Sequence, residues 1–316
     1  MNKIKHFLAK TPYKDFKLTV ASADASFRKY YRLSKDGESV LLMDASLERE
    51  SLAPFLDVSG RLLDVGARAP RVLERDVESG YLILEDFGSM HYLDLLNTKN
   101  FKTLYANAID EILKMQEADA SHLPLYDKDF LLFEMGLMGE WYIKGLLGKT
   151  VTEAQNAILS ETLEKIADVV LSQPQGYFVH RDFHSRNIMQ TPNAEIGIID
   201  FQDAMSGAVT YDLVSLLKDC YIVFAPSEIE KLALTFRDKK GINASDTEFL
   251  KWFDFMGMQR HIKVLGVFSR LWLRDGKDGY LKDIPLVLHY TLEAAKKYKE
   301  MQPLAELLKE LTEAKK

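Results

Sequence analysis

The spacing of apolar residues changes character near residue 88. Before it, residues 17–21, 27–33 and 39–44 have the length, the aromatic or β-branched content and the bounding turn residues of strands, with Asp36 and Gly37 as the turn between the last two. Residues 48–66 place Leu52, Phe55, Leu56, Leu62 and Leu63 at three-to-four-residue spacing and stop at Gly66, which predicts an amphipathic helix. Residues 71–74 and 81–85 supply two further strands around a polar turn at Ser79 and Gly80. Beyond Phe87 and Gly88 the pattern turns helical, over 101–117, 129–147, 152–171, 211–223, 227–238, 247–273, 284–298 and 303–311. A β-rich island with one hairpin, 177–201, interrupts it. The expected class is α+β, with a small antiparallel-sheet N-lobe over 1–88, a larger and mainly helical C-lobe over 89–316, and a cleft between them.

Composition narrows the partners. The 316 residues carry 41 Lys and Arg against 47 Asp and Glu, so 41 − 47 gives a formal charge of −6. That excludes a broad basic surface for nucleic acid and requires any polyanion to be met by a local pocket. The one cysteine, Cys220, excludes an internal disulfide and thiolate zinc sites, and a buried thiol in a reducing compartment is the expectation. The first ten residues hold only a short apolar patch (Phe7, Leu8, Ala9), and no run approaches the roughly 20 apolar residues of a membrane span. A cytoplasmic, monomeric protein without nucleic-acid or membrane partners is expected. Trp141, Trp252 and Trp272 lie among apolar helical residues and are expected in the core.

The chemistry is concentrated in the island. Tyr177-Phe178-Val179-His180-Arg181-Asp182-Phe183-His184-Ser185-Arg186-Asn187-Ile188 is followed by Ile196-Gly197-Ile198-Ile199-Asp200-Phe201. Asp182 and Asn187 have the Asp-x-x-x-x-Asn spacing of a phosphoryl-transfer loop, and Asp200 ends an apolar strand. Such transfer requires an acceptor oxygen held in line, a group that takes its proton late, and hard oxygen ligands for Mg²⁺. Asp182 is the candidate base; Asn187 and Asp200 are the candidate Mg²⁺ ligands. Arg181 or Arg186 can pair with a carboxylate and fix the loop. Two other readings compete: loop Asp and Asn residues that only cap turns, and a metal-dependent hydrolase built on the alternation of His180, Asp182 and His184. The remaining histidines are scattered singly, which disfavours the hydrolase, and His184 reads better as a loop histidine near a substrate.

These residues resemble the aminoglycoside and choline kinase branch of the protein-kinase-like fold, whose loop reads HxDxxxxN and whose metal aspartate stands in IDF or IDW. The wider chain resembles the bacterial anomeric kinases of N-acetylmuramate and N-acetylglucosamine in cell-wall recycling. The stretches that carry this are Ala23-Asp24-Ala25-Ser26-Phe27-Arg28-Lys29-Tyr30-Tyr31-Arg32, Leu42-Met43-Asp44-Ala45, Ile199-Asp200-Phe201-Gln202-Asp203-Ala204, Tyr211-Asp212-Leu213-Val214-Ser215-Leu216 and Gln259-Arg260-His261-Ile262-Lys263-Val264-Leu265-Gly266. The resemblance implies a bilobal fold, ATP and Mg²⁺ as cofactors, an amino-sugar acceptor, Asp182 as base, Asn187 and Asp200 as metal ligands, and an adenine-contacting hinge over 84–87 that includes Glu85 and Phe87.

The chain departs from ordinary protein kinases in lacking a GxGxxG turn, a lysine on the third strand and an APE segment. Something else must then meet the phosphates. Arg28 or Arg32, with Glu50 as an anchor on the following helix, is the candidate, since arginine suits bidentate phosphate contact. Exposed strand charges are the alternative. For the acceptor, Gln202 and Asp203 could bond sugar hydroxyls, while Arg260, His261 and Lys263 form a basic cluster suited to a lactyl carboxylate. Arg260 and Lys263 are also spaced as solvated helix charges would be. Asp212 reads as a cap or brace of the catalytic loop. Two further functions stay open: a kinase for an aminoglycoside or amino alcohol, and a nucleotide-binding regulatory protein without activity.

Overall fold

The computed structural model describes residues 2–22 and 28–313. The first part of the Ala23–Arg32 stretch, through residue 27, and with it the expected strand start at Phe27, lies outside the described residues. The chain forms two compact units, Met1–Leu95 with Arg186–Ala204, and Leu96–Ser185 with Met205–Lys316.

In the first unit, β1 (Lys17–Ser22), β2 (Lys29–Lys35), β3 (Glu38–Asp44), β4 (Val72–Asp76) and β5 (Tyr81–Glu85) make one antiparallel sheet in the order β1-β2-β3-β5-β4. All five expected strands are present. The helix α1 (Asn2–Leu8) was not expected, although its apolar residues follow helical spacing. Its Ile4, Phe7 and Leu8 are buried in one cluster with Leu33, Val40, Leu42, Tyr81 and Ile83, and the Phe7 ring stacks on Tyr81 at 5.5 Å. The expected 48–66 helix is shorter: a 3₁₀ turn at Arg49–Ser51 leads into α2 (Leu52–Asp64). Pro54 accounts for the late start, because proline fits only the first turn of a helix.

The hairpin of β7 (Ile188–Gln190) and β8 (Ile196–Ile198) belongs to this unit because its backbone is bonded there. Gln190 N–H donates to Met90 O and Ile198 N–H to Arg68 O, both at 2.9 Å. Gly197 is required by contact rather than by its backbone angle: a Cβ at that position would lie 2.4 Å from Phe87 Cδ2.

The second unit is helical, with α4 (Phe101–Met115), α5 (Lys128–Leu137), α6 (Glu153–Ser172), α7 (Tyr211–Leu217), α8 (Pro226–Lys240), α9 (Asp246–Leu273), α10 (Ile284–Lys297) and α11 (Gln302–Thr312); the short α3 (Tyr92–Leu95) closes the first unit. The 28-residue α9 is its axis, buried along most of Phe253–Ser269 and packed against α5, α6, α7 and α10. The expected helix over 129–147 is α5 followed by a π-helical stretch, Met138–Leu146, against the same axis. The approach is close: a Cβ on Gly266 would lie 2.4 Å from the Leu137 carbonyl carbon. A widened turn of this kind leaves the apolar spacing nearly intact, so periodicity does not reveal it.

Two further differences bear on the site. The helix expected over 211–223 ends at Leu217, because the buried Asp219 carboxylate accepts from the backbone N–H groups of Ser185 (2.8 Å) and Tyr221 (3.0 Å) and so holds an irregular turn. The island also contains an unexpected second pairing, β6 (Tyr177–Val179) with β9 (Met205–Gly207). Cys220 is buried, as expected. The tryptophans are not core: Trp272 is 37% exposed near the end of α9, and Trp141 and Trp252 are partly exposed. Among the described residues no helix is long and apolar enough to cross a membrane.

Candidate active site

In the first unit, the end of β8 delivers Asp200 in a left-handed backbone conformation (φ 65°), with its side chain half-exposed. Three neighbours define its surroundings. Asn187, which opens onto β7, donates Nδ2–H to Asp200 Oδ2 at 3.3 Å, while Gln202 donates Nε2–H to Oδ1 at 3.1 Å and to Asp203 Oδ2 at 3.2 Å. The buried Arg28 guanidinium stands 3.8 Å from Oδ1. Gln202 is thus a partner of the Asp200 carboxylate, and Asp203 is exposed beside it.

The donor set fits Mg²⁺. One carboxylate and one amide oxygen, both accessible to solvent, are hard ligands that leave most of an octahedral shell to water and phosphate. Among the described residues there is no group of three or more His, Cys, Asp or Glu that could hold a metal ion, so His180, Asp182 and His184 are not gathered into one.

The other candidates of this unit are divided by their partners. Arg32 is committed to Asp86, with Nε–H donating to Oδ2 at 2.6 Å and Nη2–H to Oδ1 at 3.0 Å, and also reaches Gly88 O at 2.7 Å. Glu85 accepts from Arg68 (2.8 Å) and Arg71 (3.2 Å). The Phe87 side chain is buried against Gly197, with the Arg68 guanidinium 5.6 Å from its ring centre. Glu50 is exposed in the 3₁₀ turn.

In the second unit, the loop after β6 presents Asp182. Asp212, buried at the start of α7, accepts from the N–H of His180 (2.8 Å) and of Arg181 (3.1 Å), which makes it a brace of the loop. Burial pushes the Asp212 carboxyl up to about 6. Arg181 has φ 76°, a conformation that costs an arginine about 1–3 kcal/mol and persists only where the surroundings hold it. Its guanidinium donates to the buried Glu134 carboxylate (Oε1, 2.5 Å) and lies 5.4 Å from the Phe130 ring centre.

Four basic groups bear on Asp182. Burial opposes its ionisation, but Lys263, His184, Arg260 and Arg181 together hold the carboxyl well below the usual carboxylate range. Arg260 and Lys263 are not solvated helix charges. Arg260 is 2% exposed, donates Nη1–H to Cys220 Sγ at 3.2 Å, and has no partner for Nε among the described residues. The Lys263 side chain is 12% exposed, pairs with Glu134 at 3.1 Å and reaches Tyr211 Oη at 3.3 Å. His184 stands edge-on to Tyr221, ring centres 5.3 Å apart. His261 does not join this group: it stacks on Tyr290, bonds Lys218 O at 2.9 Å, and burial pushes it down to about 3, so it is neutral.

Residues 17–242 match the model of the phosphotransferase enzyme family. The N-acetylmuramate/N-acetylglucosamine kinase of Neisseria meningitidis serogroup B is 39% identical over 98% of this chain and 95% of the relative. The chain belongs to the phosphotransferase enzyme family. Within this family, the identically named kinase of Pseudomonas aeruginosa is 38% identical over 93% of this chain and 88% of its own length. Among solved structures, ADP-bound aminoglycoside phosphotransferase APH(2'')-Ib matches with a TM-score of 0.62 at 16% identity, covering 93% of this chain and 98% of that one. A choline/ethanolamine kinase family protein from Mesorhizobium loti matches at 0.64 and 14% identity, covering 98% and 99%. The fold is the bilobal protein-kinase-like one, with a small N-terminal sheet and a larger helical lobe. The match of the family model over residues 17–242, and of the kinase relatives over nearly the whole chain, makes this protein a phosphotransferase enzyme of the matched family.

The sequence reading of this phosphotransferase missed Glu134, Asp86 and Asp219. Each is a carboxylate far along the chain from the group it holds, with no local spacing to mark it.

Proposed function

We propose that this chain transfers the γ-phosphoryl group of ATP to the anomeric hydroxyl of N-acetylmuramate and N-acetylglucosamine, giving the sugar 1-phosphates used in cell-wall recycling. The observation that carries the choice of acceptor is the cationic setting of Asp182. Lys263, Arg260 and Arg181 suit an uncharged sugar or one bearing a lactyl carboxylate, and they repel a polycationic aminoglycoside or an amino alcohol. The relatives named for these two sugars, 39% and 38% identical over nearly the whole chain, support the same reading.

In this mechanism Asp182 orients the acceptor hydroxyl in line with the γ-phosphorus and takes its proton late, as the loose transition state of phosphoryl transfer allows. A carboxylate held so far toward its ionised form is a weak base, and positioning is its larger contribution. Asn187 and Asp200 would hold Mg²⁺, which supplies charge neutralisation on the phosphate oxygens. Gln202 keeps Asp200 in place. Arg28, beside Asp200, takes the phosphate-binding role of the absent strand lysine, because Arg32 is committed to Asp86. Glu85 and Phe87 mark the adenine-binding segment, and His184 and Asp203 are acceptor-side candidates. Asp182, Asn187 and Asp200 together disfavour an inactive regulatory protein. The protein acts in the cytoplasm as a monomer, with residues 1–88 as the nucleotide-binding lobe and 89–316 as the acceptor-binding lobe.

A coupled ADP-release assay against N-acetylmuramate, N-acetylglucosamine, an aminoglycoside and choline, with and without Mg²⁺, tests this. Turnover with the acetylated sugars that requires Mg²⁺ is expected; turnover with the aminoglycoside or choline alone would overturn it.

A further inference from the structure

The loop that carries Asp182 has no strand or helix of its own, since β6 ends at Val179 and β7 begins at Ile188. Its backbone N–H groups are met one by one. Those of His180 and Arg181 go to the Asp212 carboxylate, that of Asp182 to His180 Nδ1 at 3.3 Å, that of His184 to Asp182 O at 2.9 Å, and that of Ser185 to Asp219 Oδ2 at 2.8 Å. Side-chain carboxylates thus hold the loop at two places, one before Asp182 and one after it. Both are set by the same helix: Asp212 lies in the first turn of α7, and Asp219 stands two residues beyond its end. Asp219 and Ser185 are fully buried, so bulk water does not compete for the bond between them.

Asp219 does more than end α7. Its other oxygen, Oδ1, accepts from Tyr221 N–H at 3.0 Å, and the Tyr221 ring returns to the loop, edge-on to His184 with ring centres 5.3 Å apart. Ser185, Asp219, Tyr221 and His184 close a circuit, and one carboxylate supplies an oxygen to each of its two arms. We propose that Asp219 is a positioning residue for phosphoryl transfer: it grips the loop after Asp182 as Asp212 grips it before, so that the residue between them is held where the acceptor hydroxyl must be aligned. Contact between Asp219 and a substrate is not needed, because a shift of about 1 Å in an aligning group can cost about 100-fold in rate. The proposal rests on the reading of Asp182 given above.

The test uses the full chain with ATP and whichever acceptor of the panel above turns over fastest. Asp219→Asn keeps the size of the side chain and one carbonyl acceptor, but it turns an amide NH2 toward the second N–H, so one of the two bonds is lost. With rates taken where urea melts show the variant to be fully folded, kcat is expected to fall about 30-fold while KM for ATP stays within about twofold. A mere cap of α7 would lower the denaturation midpoint and leave kcat of the folded enzyme unchanged. A loss smaller than about fivefold, or a KM for ATP that rises as far as kcat falls, overturns the proposal. The sharper readout is coupling to Asp182. If Asp219 acts through that residue, adding Asp219→Asn to Asp182→Asn lowers the residual turnover by less than about threefold; losses that multiply overturn the proposal. Should Asp219→Asn fail to fold, Asp219→Glu decides. It keeps both oxygens and the charge but moves them by one methylene, so a kcat about tenfold lower is expected, and a loss under about threefold overturns the proposal. Asp182→Asn alone separates the two ideas. If it turns over like the parent, the reading of Asp182 fails; if it loses about 10³-fold while Asp219→Asn is unimpaired, only the inference about Asp219 fails.

Discussion

Asp200 and Asp182 are both carboxylates delivered by short strands of the same island, yet the two units hold them in opposite ways. Asp200 is half-exposed and lies among neutral amides, from Asn187 and Gln202, with Arg28 at 3.8 Å. Asp182 sits within the field of four basic groups. The difference fits the two roles proposed for them. A carboxylate proposed to hold Mg²⁺ must stay accessible, and Asp200 does so with a single guanidinium 3.8 Å away. One that is to align a hydroxyl must be ionised beforehand and need not be strongly basic, because the proton moves late. Two of the four basic groups, Arg181 and Lys263, are also paired with the buried Glu134.

The largest effect is expected where the contrast is sharpest. Asp182→Asn keeps the shape and removes the charge, so turnover should fall about 10³-fold while nucleotide affinity, measured calorimetrically with ADP, stays within about twofold. Near-normal turnover would show that the cations around residue 182 serve the acceptor directly and that the carboxylate is dispensable.

A smaller effect separates the two arginines of the first unit. Arg28→Ala should raise KM for ATP about tenfold with little loss of stability, since a charge-assisted contact to phosphate contributes about 1.5–3 kcal/mol. Arg32→Ala should do the reverse: it leaves Asp86, whose side chain is 1% exposed, without its bidentate partner, and about 2–4 kcal/mol of unfolding free energy is expected to go. Urea melts and ATP titrations of both variants check the pair. Equal effects on KM would mean that neither arginine has the role of the missing lysine.

Below these comes the packing that seats Asp200. Gly197→Ala would bring a Cβ to 2.4 Å from a ring carbon of the buried Phe87, and such overpacking costs about 1–3 kcal/mol. A shift in denaturation midpoint with weakened Mg²⁺ dependence of nucleotide binding is expected. A stable variant with unchanged metal dependence would show that the hairpin yields without moving Asp200.

How much of this was legible in the sequence differs between the two carboxylates. The five strands, the β7–β8 hairpin and the Asp182, Asn187, Asp200 spacing follow from local pattern, because alternation and turn chemistry act over a few residues. The α1 helix was legible too, in the positions of Ile4, Phe7 and Leu8, but its shortness hid it. Of the supports around Asp182, Asp212 was legible as a brace of the loop and Lys263 as part of a basic cluster, whereas Glu134 and the pairing among them were not. Glu134, Lys263 and Asp212 come from three helices separated by more than a hundred residues in all, and which charge meets which is decided by tertiary packing around α9. The spacing of Arg260 and Lys263 fits a solvated face as well as a buried one, and only their burial distinguishes the two.

The smallest expected effect concerns the brace rather than the base. Asp182 is held far toward its ionised form, so it does not titrate in the working range and supplies no acid limb to the pH profile. Asp212 does, because burial raises it to about 6. Its folded-state value lies above the ordinary carboxylate value, so it takes up a proton as pH falls through about 6 while exposed carboxylates are still ionised. Protonation occupies one oxygen of a group that accepts from the N–H of both His180 and Arg181, and the loop loses part of its clamp. The turnover number should therefore decline by a few-fold between pH 7 and pH 5, about an apparent value near 6. Asp212→Asn removes the titration while keeping one carbonyl acceptor, so its plateau should be lower and its profile flat over the same range. An acid limb that survives unchanged in Asp212→Asn would assign it to another group and leave the two carboxylates of the island contrasted in charge alone, not in how their loops respond to pH.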